Sequence, residues 1–199
     1  FKQMNLNLIA VDEAHCISQW GYDFRPAYLE IAEIRAYHPK VNVLALTASA
    51  TPEVAKDILE KLQLKKPATF HQSFARKNLS YSVRLVENKL EKGMEVLRRI
   101  SGSAIWYVRT RQGTQQLAKA LQQLGVSAAF YHAGMSAAER SAKQEAWKSN
   151  QVRIMVSTNA FGMGIDKPDV RVVLHSDLPE NIESYYQEAG RAGRDGKKA

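Results

Sequence analysis

Short apolar runs alternate with amphipathic stretches of helical length along nearly the whole chain, an order that suits parallel strands covered by helices, an α/β fold. Residues 6–11 read as a strand. Residues 26–37 read as a helix, with Leu29, Ile31, Ile34 and Tyr37 at helical spacing, and 41–46 as a second strand. Thr51-Pro52-Glu53 opens another helix, with Thr51 as N-cap and proline at the first helical position, where its missing N–H costs nothing. Residues 69–74 read as extended.

The alternation restarts after the polar segment Ala75-Arg76-Lys77-Asn78, which places a domain boundary there and divides the chain into 1–75 and 76–199. Strands are expected at 80–86, 104–108, 128–131, 153–157 and 171–175. Helices are expected at 89–100, 113–124 and 181–189, with one more opened by the capping box Ser136-Ala137-Ala138-Glu139. No internal repeat or low-complexity tract interrupts this order.

Charge separates the two parts. Residues 1–75 carry eight Lys/Arg against eight Asp/Glu, and 76–199 carry twenty against twelve, so the whole +8 excess lies in the second part. Such an imbalance favours a polyanion partner such as nucleic acid. With 45% apolar and 24% charged residues the chain can bury a core, and no apolar run is long enough for a membrane span. The single cysteine, Cys16, forms no internal disulfide and no multi-cysteine zinc site, which fits a reducing, cytoplasmic setting. Phe1 in place of a start methionine suggests a piece of something longer.

Five segments carry chemistry. Asp12-Glu13-Ala14-His15 follows the first strand directly, where α/β sheets bind ligands. In a nucleotide hydrolase such a pair divides its work: Asp12 would hold Mg²⁺ and Glu13 would polarise the attacking water. A solvated acidic pair at a strand end is the plainer alternative. Next, Cys16–Pro26 crowds Trp20, Tyr22, Phe24 and Arg25 into six positions, which suits stacking on single-stranded nucleic acid. By itself it reads first as core closure by Trp20 and Phe24. Third, Leu46-Thr47-Ala48-Ser49-Ala50-Thr51 either links the acidic strand to a second site by hydrogen bonds or serves only as a helix cap.

The fourth segment runs from Val156 through Thr158, Gly162, Gly164 and Asp166 to Pro168; its glycine pair permits close approach of a phosphate, and Asp166 could accept from a ribose. The fifth, Gln187-Glu188-Ala189-Gly190-Arg191-Ala192-Gly193-Arg194-Asp195-Gly196, sets two guanidinium forks among glycines, a combination suited to phosphate oxygens. Glycine-pair turns and solvated basic turns remain the alternatives for these two.

Taken together and in this order, the five segments resemble motifs II, III, V and VI of superfamily 2 helicases, with an aromatic loop inserted after motif II. The pattern is most similar to the RecQ family of DNA helicases, through the loop after Asp12–His15, residues 160–168 and residues 185–196. DEAH-box RNA helicases share Asp12 to His15 and Gly190 to Arg194 but not Ser18-Gln19-Trp20-Gly21, and rank second. The resemblance implies RecA-like parallel sheets flanked by helices in two lobes, truncated in 1–75 and nearly complete in 76–199. It implies ATP and Mg²⁺ between the lobes and 3′ to 5′ movement on single-stranded DNA, with unwinding of partly duplex DNA in repair and recombination. A cytoplasmic location, at the nucleoid in a bacterium, would follow.

Carried over residue by residue, Asp12 and Glu13 are the Mg²⁺ and water-activating acids, and His15 links the nucleotide site to the aromatic loop. Gln19, Trp20, Phe24 and Arg25 sense DNA. Thr158 lies where DNA-backbone contacts are expected, and Asp166, beside Gly164, lies near the ribose. Gln187, Arg191 and Arg194 form motif VI, with Arg194 as the arginine finger and Arg191 also facing the phosphates. The chain departs from the pattern in one major respect: no G-x-x-x-x-G-K-[ST] string occurs, and the only Gly-Lys pair, Gly196-Lys197, is followed by Lys198. These residues by themselves are therefore expected to be inactive, a nucleic-acid-binding piece without turnover. No zinc site is expected within them. A cysteine is expected near Val108, and its absence leaves Arg111 without an assigned role.

Overall fold

Two parallel sheets, one in each of two units, carry the chain. The computed structural model describes every residue except Phe1, Lys2, Tyr22, Ser49, Phe74, Met163 and Gly164, and the chain divides into the units Phe1–Ser73 and Phe74–Ala199.

In the first unit β1 (Leu8–Val11) pairs in parallel with β2 (Asn42–Ala45), with Val11 opposite Ala45. Between them run a 3₁₀ turn, Ala14–Ile17, and a longer 3₁₀ segment, Pro26–Glu33, that passes into the single α-turn α1 (Ile34–Tyr37). A regular helix over 26–37 is thus realised mostly in the tighter 3₁₀ form. Helix α2 (Pro52–Lys61) begins as expected: Thr51 accepts from the Val54 N–H at 3.3 Å. The core is small, built on Val11, Ala14, Ile17, Val54, Ile58 and Leu62. The first strand is not buried as a whole, because the described sheet has only two strands and one covering helix; Leu8 and Ala10 are exposed and Val11 alone is enclosed.

The second unit holds four parallel strands in the order β4-β5-β3-β6. These are β3 (Ser103–Tyr107), β4 (Ala128–Tyr131), β5 (Ile154–Ser157) and β6 (Val170–His175). They alternate with α3 (Lys89–Arg99), α4 (Arg111–Gln123) and α5 (Ala137–Lys148), and α6 (Ile182–Ala189) follows β6. Side-chain alternation on β3 divides the core between two faces: Ala104 and Trp106 pack with Met94, Leu97, Ala118 and Leu121, whereas Ile105 and Tyr107 pack with Trp147, Phe161 and Ile165. Asn88, Thr110, Ser136 and Asn181 cap the four helices, and the Ser136–Glu139 capping box is complete.

One helix contains a glycine for a steric reason. A Cβ at Gly93 in α3 would lie 2.0 Å from the Trp106 ring, so only hydrogen lets the indole seat beneath the helix.

Residues 80–86 do not form the expected strand. Among the described residues their one backbone bond outside the segment runs from Ser80 N–H to the Ala199 carbonyl, and Val83 and Leu85 stand in solvent. An alternating pattern without a neighbouring strand has no ladder to join. Residues 69–73 likewise join no sheet.

Candidate functional site

Strand β1 ends at Val11, and the chain then turns sharply. Pairing with the second strand's exit continues past the sheet, from Leu46 N–H to the Val11 carbonyl and from Ala14 N–H to the Leu46 carbonyl, both 2.9 Å, which holds Asp12 and Glu13 at the strand end. Asp12 is exposed and Glu13 half-buried. Glu13 sits at φ 48°, ψ 43°, a left-handed conformation unusual for a side chain of its size, and its N–H is held by Asp12 Oδ1 at 2.9 Å. The two carboxylates offer hard oxygen donors at an open strand end, which fits a divalent cation such as Mg²⁺.

His15 is buried directly behind them. Its Nδ1 lies 2.9 Å from Thr47 Oγ1 and 3.4 Å from Glu13 Oε2, so the segments that leave both strands meet at this ring. Burial lowers its pKa, and the Glu13 carboxylate opposes that shift. Thr47 thus bonds the acidic segment, the first half of the link to a second site that the Leu46–Thr51 segment suggested, and Thr51 supplies the helix cap of its other reading.

The aromatic loop grows from the same turn. Arg25 N–H donates to the Cys16 carbonyl at 2.8 Å and closes its base, and Arg25 Nη2 pairs with Asp23 Oδ2 at 2.5 Å. Buried Ser18 donates to Asp57 Oδ2 on α2 at 2.7 Å, while Lys61 Nζ reaches the same carboxylate at 2.8 Å. The Lys61 and Ser18 hydrogen bonds hold Asp57 below the usual carboxylate range. With its base tied down, the loop presents Trp20 at 78% exposure beside exposed Gln19; Phe24 and Arg25 are half-buried. Trp20 therefore does not close the core, because the core beneath is already filled by Ala14 and Ile17.

Another donor set lies in this loop. Among the described residues His15, Cys16 and Asp23 bring one ligand atom each within 4.8 Å of one another. These groups satisfy each other: the Cys16 thiol donates to Asp23 Oδ2 at 3.7 Å, Arg25 occupies the same oxygen, and burial followed by the Asp23 charge pushes the thiol up to about 11.

In the second unit the predicted residues lie on the segment between β5 and β6, on α6 and on the loop after α6, whose Gly193 N–H reaches the Val170 carbonyl at the start of β6. After β5, Thr158 Oγ1 faces the Ala160 N–H at 3.4 Å, and the chain passes Gly162 and Asp166; Gly164 lies outside the described residues. After α6, Arg191 turns inward and its Nη1 donates to the Gly162 carbonyl at 2.5 Å. A Cβ at Gly162 would lie 2.1 Å from Arg191 Nη2, so this glycine is what admits the guanidinium. Among the described residues Arg191 Nε is buried without a hydrogen-bond partner, a polar atom still able to donate. Arg194 Nη1 donates to Asp166 Oδ1 at 2.9 Å. Gln187 is half-buried on α6, one turn before Arg191.

Sequence reasoning passed over several residues that hold this arrangement. Glu188, buried, lies 2.8 Å from His175 Nε2 and ties α6 to the end of β6. The His175 ring stacks on Tyr107 at 5.3 Å, and the Tyr107 hydroxyl donates to the Phe161 carbonyl at 2.9 Å. Beside them a cavity of about 110 Å³ opens among Arg109, Asn159, His175, Asp177 and Glu188. Glu188 was visible in sequence only as one carboxylate among arginines, and Ser18 only as part of the Ser18-Gln19-Trp20-Gly21 run, with nothing to point to its bond with Asp57. Arg111 lies against Gly134, where a Cβ would come within 2.9 Å of its Nη1.

Comparison with known proteins matches residues 2–58 to the DEAD/DEAH box helicase family and residues 87–196 to the helicase conserved C-terminal domain. The chain is 45% identical to ATP-dependent DNA helicase RecQ of Bacillus subtilis, over 97% of its own length and 33% of the relative's. It is 44% identical to ATP-dependent helicase SGS1 of Saccharomyces cerevisiae, over 94% of its length and 13% of the relative's. It thus spans a third or less of these curated relatives. Among solved structures, Saccharomyces cerevisiae Dbp5 bound to RNA and ADP BeF3 matches with a TM-score of 0.74 at 20% identity, covering 98% of this chain and 52% of that one, a likeness of fold. The sheets are therefore RecA-like, no helix among the described residues is long and apolar enough to cross a membrane, and the chain belongs to the RecQ family of helicases.

Proposed function

We propose that the whole gene product is an ATP-dependent DNA helicase of the RecQ type, which couples nucleotide hydrolysis to 3′ to 5′ movement on single-stranded DNA and to duplex unwinding. One observation carries this reading: a single internally bonded segment bears both the acid pair Asp12–Glu13 and the exposed indole of Trp20, with His15 and Ser18 fixing the turn between them. A base stacking on Trp20 would act on a loop that is rigidly joined to the hydrolytic acids. The names of the RecQ and SGS1 relatives support the same reading.

In this proposal Asp12 holds Mg²⁺, which when bound neutralises phosphate charge and orients the triphosphate. Glu13 orients and polarises the attacking water. His15 passes loop displacement to both strand exits. Gln19, Trp20, Phe24 and Arg25 sense the strand, Trp20 by stacking and Arg25 through its pairing with Asp23. Thr158 contacts the DNA backbone, and Asp166 accepts from the ribose beside Gly164. Gln187, Arg191 and Arg194 serve the phosphates, with Arg194 stabilising developing charge. Phosphate contacts by lysine and arginine supply sequence-independent affinity, in keeping with the positive excess of residues 76–199.

Steady-state ATP hydrolysis by the whole gene product, with single-stranded DNA, with RNA and without either, tests the reading. DNA-stimulated turnover that Glu13→Gln abolishes while nucleotide still binds is expected. RNA as the better activator would move the protein to the RNA-unwinding class, and nucleic-acid binding without any turnover would leave only a binding protein.

A further inference from the structure

The polar segment that marked a boundary in the sequence does something specific in the structure. Arg76 reaches more than a hundred residues along the chain, to the loop that follows α6: its Nη2 donates to the carbonyls of Gly193 at 2.6 Å and Ala192 at 3.3 Å, and its Nη1 to that of Gly190 at 3.4 Å. Its Nε donates to Asn78 Oδ1 at 3.3 Å, which fixes the amide so that Asn78 Nδ2 donates to the carbonyls of Gly193 and Lys197, each at 2.8 Å. The Asn78 backbone carbonyl in turn accepts from Ala199 N–H at 3.0 Å.

The carbonyls held by Arg76 are those of Gly190, the C-cap of α6, and of Ala192 and Gly193 just beyond it, close to the negative end of the helix dipole, so a guanidinium suits this place in charge as well as in hydrogen bonding. They also bracket the two arginines. Gly190 and Ala192 flank Arg191, and Gly193 precedes Arg194. Gly193 sits at φ 58° and gives its own N–H to the Val170 carbonyl; a Cβ there would lie 2.5 Å from Asn78 Nδ2, so the glycine and the amide are fitted to each other.

We propose that Arg76 and Asn78 are positioning residues for the Arg191–Arg194 loop, a clamp that sets the backbone from which both guanidiniums project. The proposal rests on the reading of those arginines as the phosphate-facing pair. Arg76 lies two residues beyond Phe74, where the second unit begins, so the clamp joins the first residues of that unit to the loop near its end.

The test uses the whole gene product and four variants: Arg76→Ala, Arg76→Lys, Asn78→Asp and, for reference, Arg194→Ala. Arg76→Ala is expected to lower kcat for DNA-stimulated ATP hydrolysis on the order of tenfold to a hundredfold, the scale of a small misplacement of a catalytic group. KM for ATP and affinity for single-stranded DNA stay close to the unsubstituted values. Arg76→Lys keeps the charge but cannot span three carbonyls and restores kcat only in part, and Asn78→Asp sets a carboxylate against two carbonyls and lowers kcat as well. Amide hydrogen exchange across 190–196 accelerates in all three, while the β3–β5 strands stay protected. Unchanged kcat in Arg76→Ala, or a loss that merely tracks a smaller folded fraction by circular dichroism, overturns the clamp. Should Arg194→Ala also keep full turnover, the phosphate-facing reading fails instead; loss in Arg194→Ala with none in Arg76→Ala refutes the clamp alone.

Discussion

Arg194 Nη1 lies 2.9 Å from Asp166 Oδ1, so the proposed arginine finger and the proposed ribose acid hold each other. Both side chains are open to solvent, Arg194 at 40% and Asp166 at 77%, and a pair in that setting contributes at most about 1 kcal/mol. A triphosphate competes easily for such an arginine. Asp166→Asn is expected to change unfolding free energy by less than about 1 kcal/mol. The same substitution raises KM for ATP severalfold. Arg194→Ala is expected to lower kcat by about 10³ or more, the range for an arginine that meets the transferring phosphate. Urea unfolding beside steady-state kinetics checks both, and a large stability loss in Asp166→Asn would contradict the weak pairing.

Trp20 is the one tryptophan in solvent, since Trp106 and Trp147 are 2% and 1% exposed. Acrylamide quenching of the chain's fluorescence should therefore report almost wholly on Trp20, and single-stranded DNA that stacks there should quench emission and protect against acrylamide. Trp20→Ala is expected to leave stability within about 0.5 kcal/mol, as for a side chain that stands largely in solvent, and to remove the DNA stimulation of hydrolysis. Full stimulation in this variant would remove Trp20 from the sensor.

Gly93→Ala reverses the ordinary helix preference. Alanine in place of glycine within a helix normally gains about 1 kcal/mol, but here the new methyl would enter the Trp106 ring. Overpacking of this kind costs about 1–3 kcal/mol, so a net destabilisation is expected, with the near-ultraviolet circular dichroism of Trp106 altered. A more stable Gly93→Ala protein would show that the indole can move aside cheaply.

Cys16 is fully enclosed, and its thiol is pushed up to about 11 by burial and by Asp23, against an ordinary value of 9.0. The unfolded chain releases this proton first, so the folded state binds more protons between those values, and stability present below pH 9 is lost as pH rises toward 11. The loss reaches about 2–3 kcal/mol at most for a shift of this size. Thermal unfolding at pH 8 and pH 10.5, with Cys16→Ala for comparison, should show a steeper alkaline loss with the cysteine present. Alkylation of native Cys16 at pH 8 should be slow until the first unit opens.

Much of the architecture was legible in local pattern. The strands of the second unit, the caps at Thr51 and Ser136 and the boundary near residue 75 depend on apolar periodicity and on side chains that bond within three residues, and such short-range chemistry is written in order along the chain. Residues 80–86 show the limit of that reasoning, because alternation describes a strand only where another backbone comes alongside. The acid pair and the two arginines stand out in the sequence for a similar reason, since a motif keeps its residues adjacent; the roles given to them rest on the proposed function.

What tertiary structure alone decided is how those residues are held. Glu13 turned into a left-handed conformation, His15 placed between two strand exits, Ser18 anchored to Asp57, Arg191 admitted by Gly162, and the Arg76 carbonyl contacts all join residues by hydrogen bonds or close approach that the folded backbone brings about. A hydrogen bond is settled over about 3 Å, and distance along the sequence carries no information about it once the chain has folded back on itself.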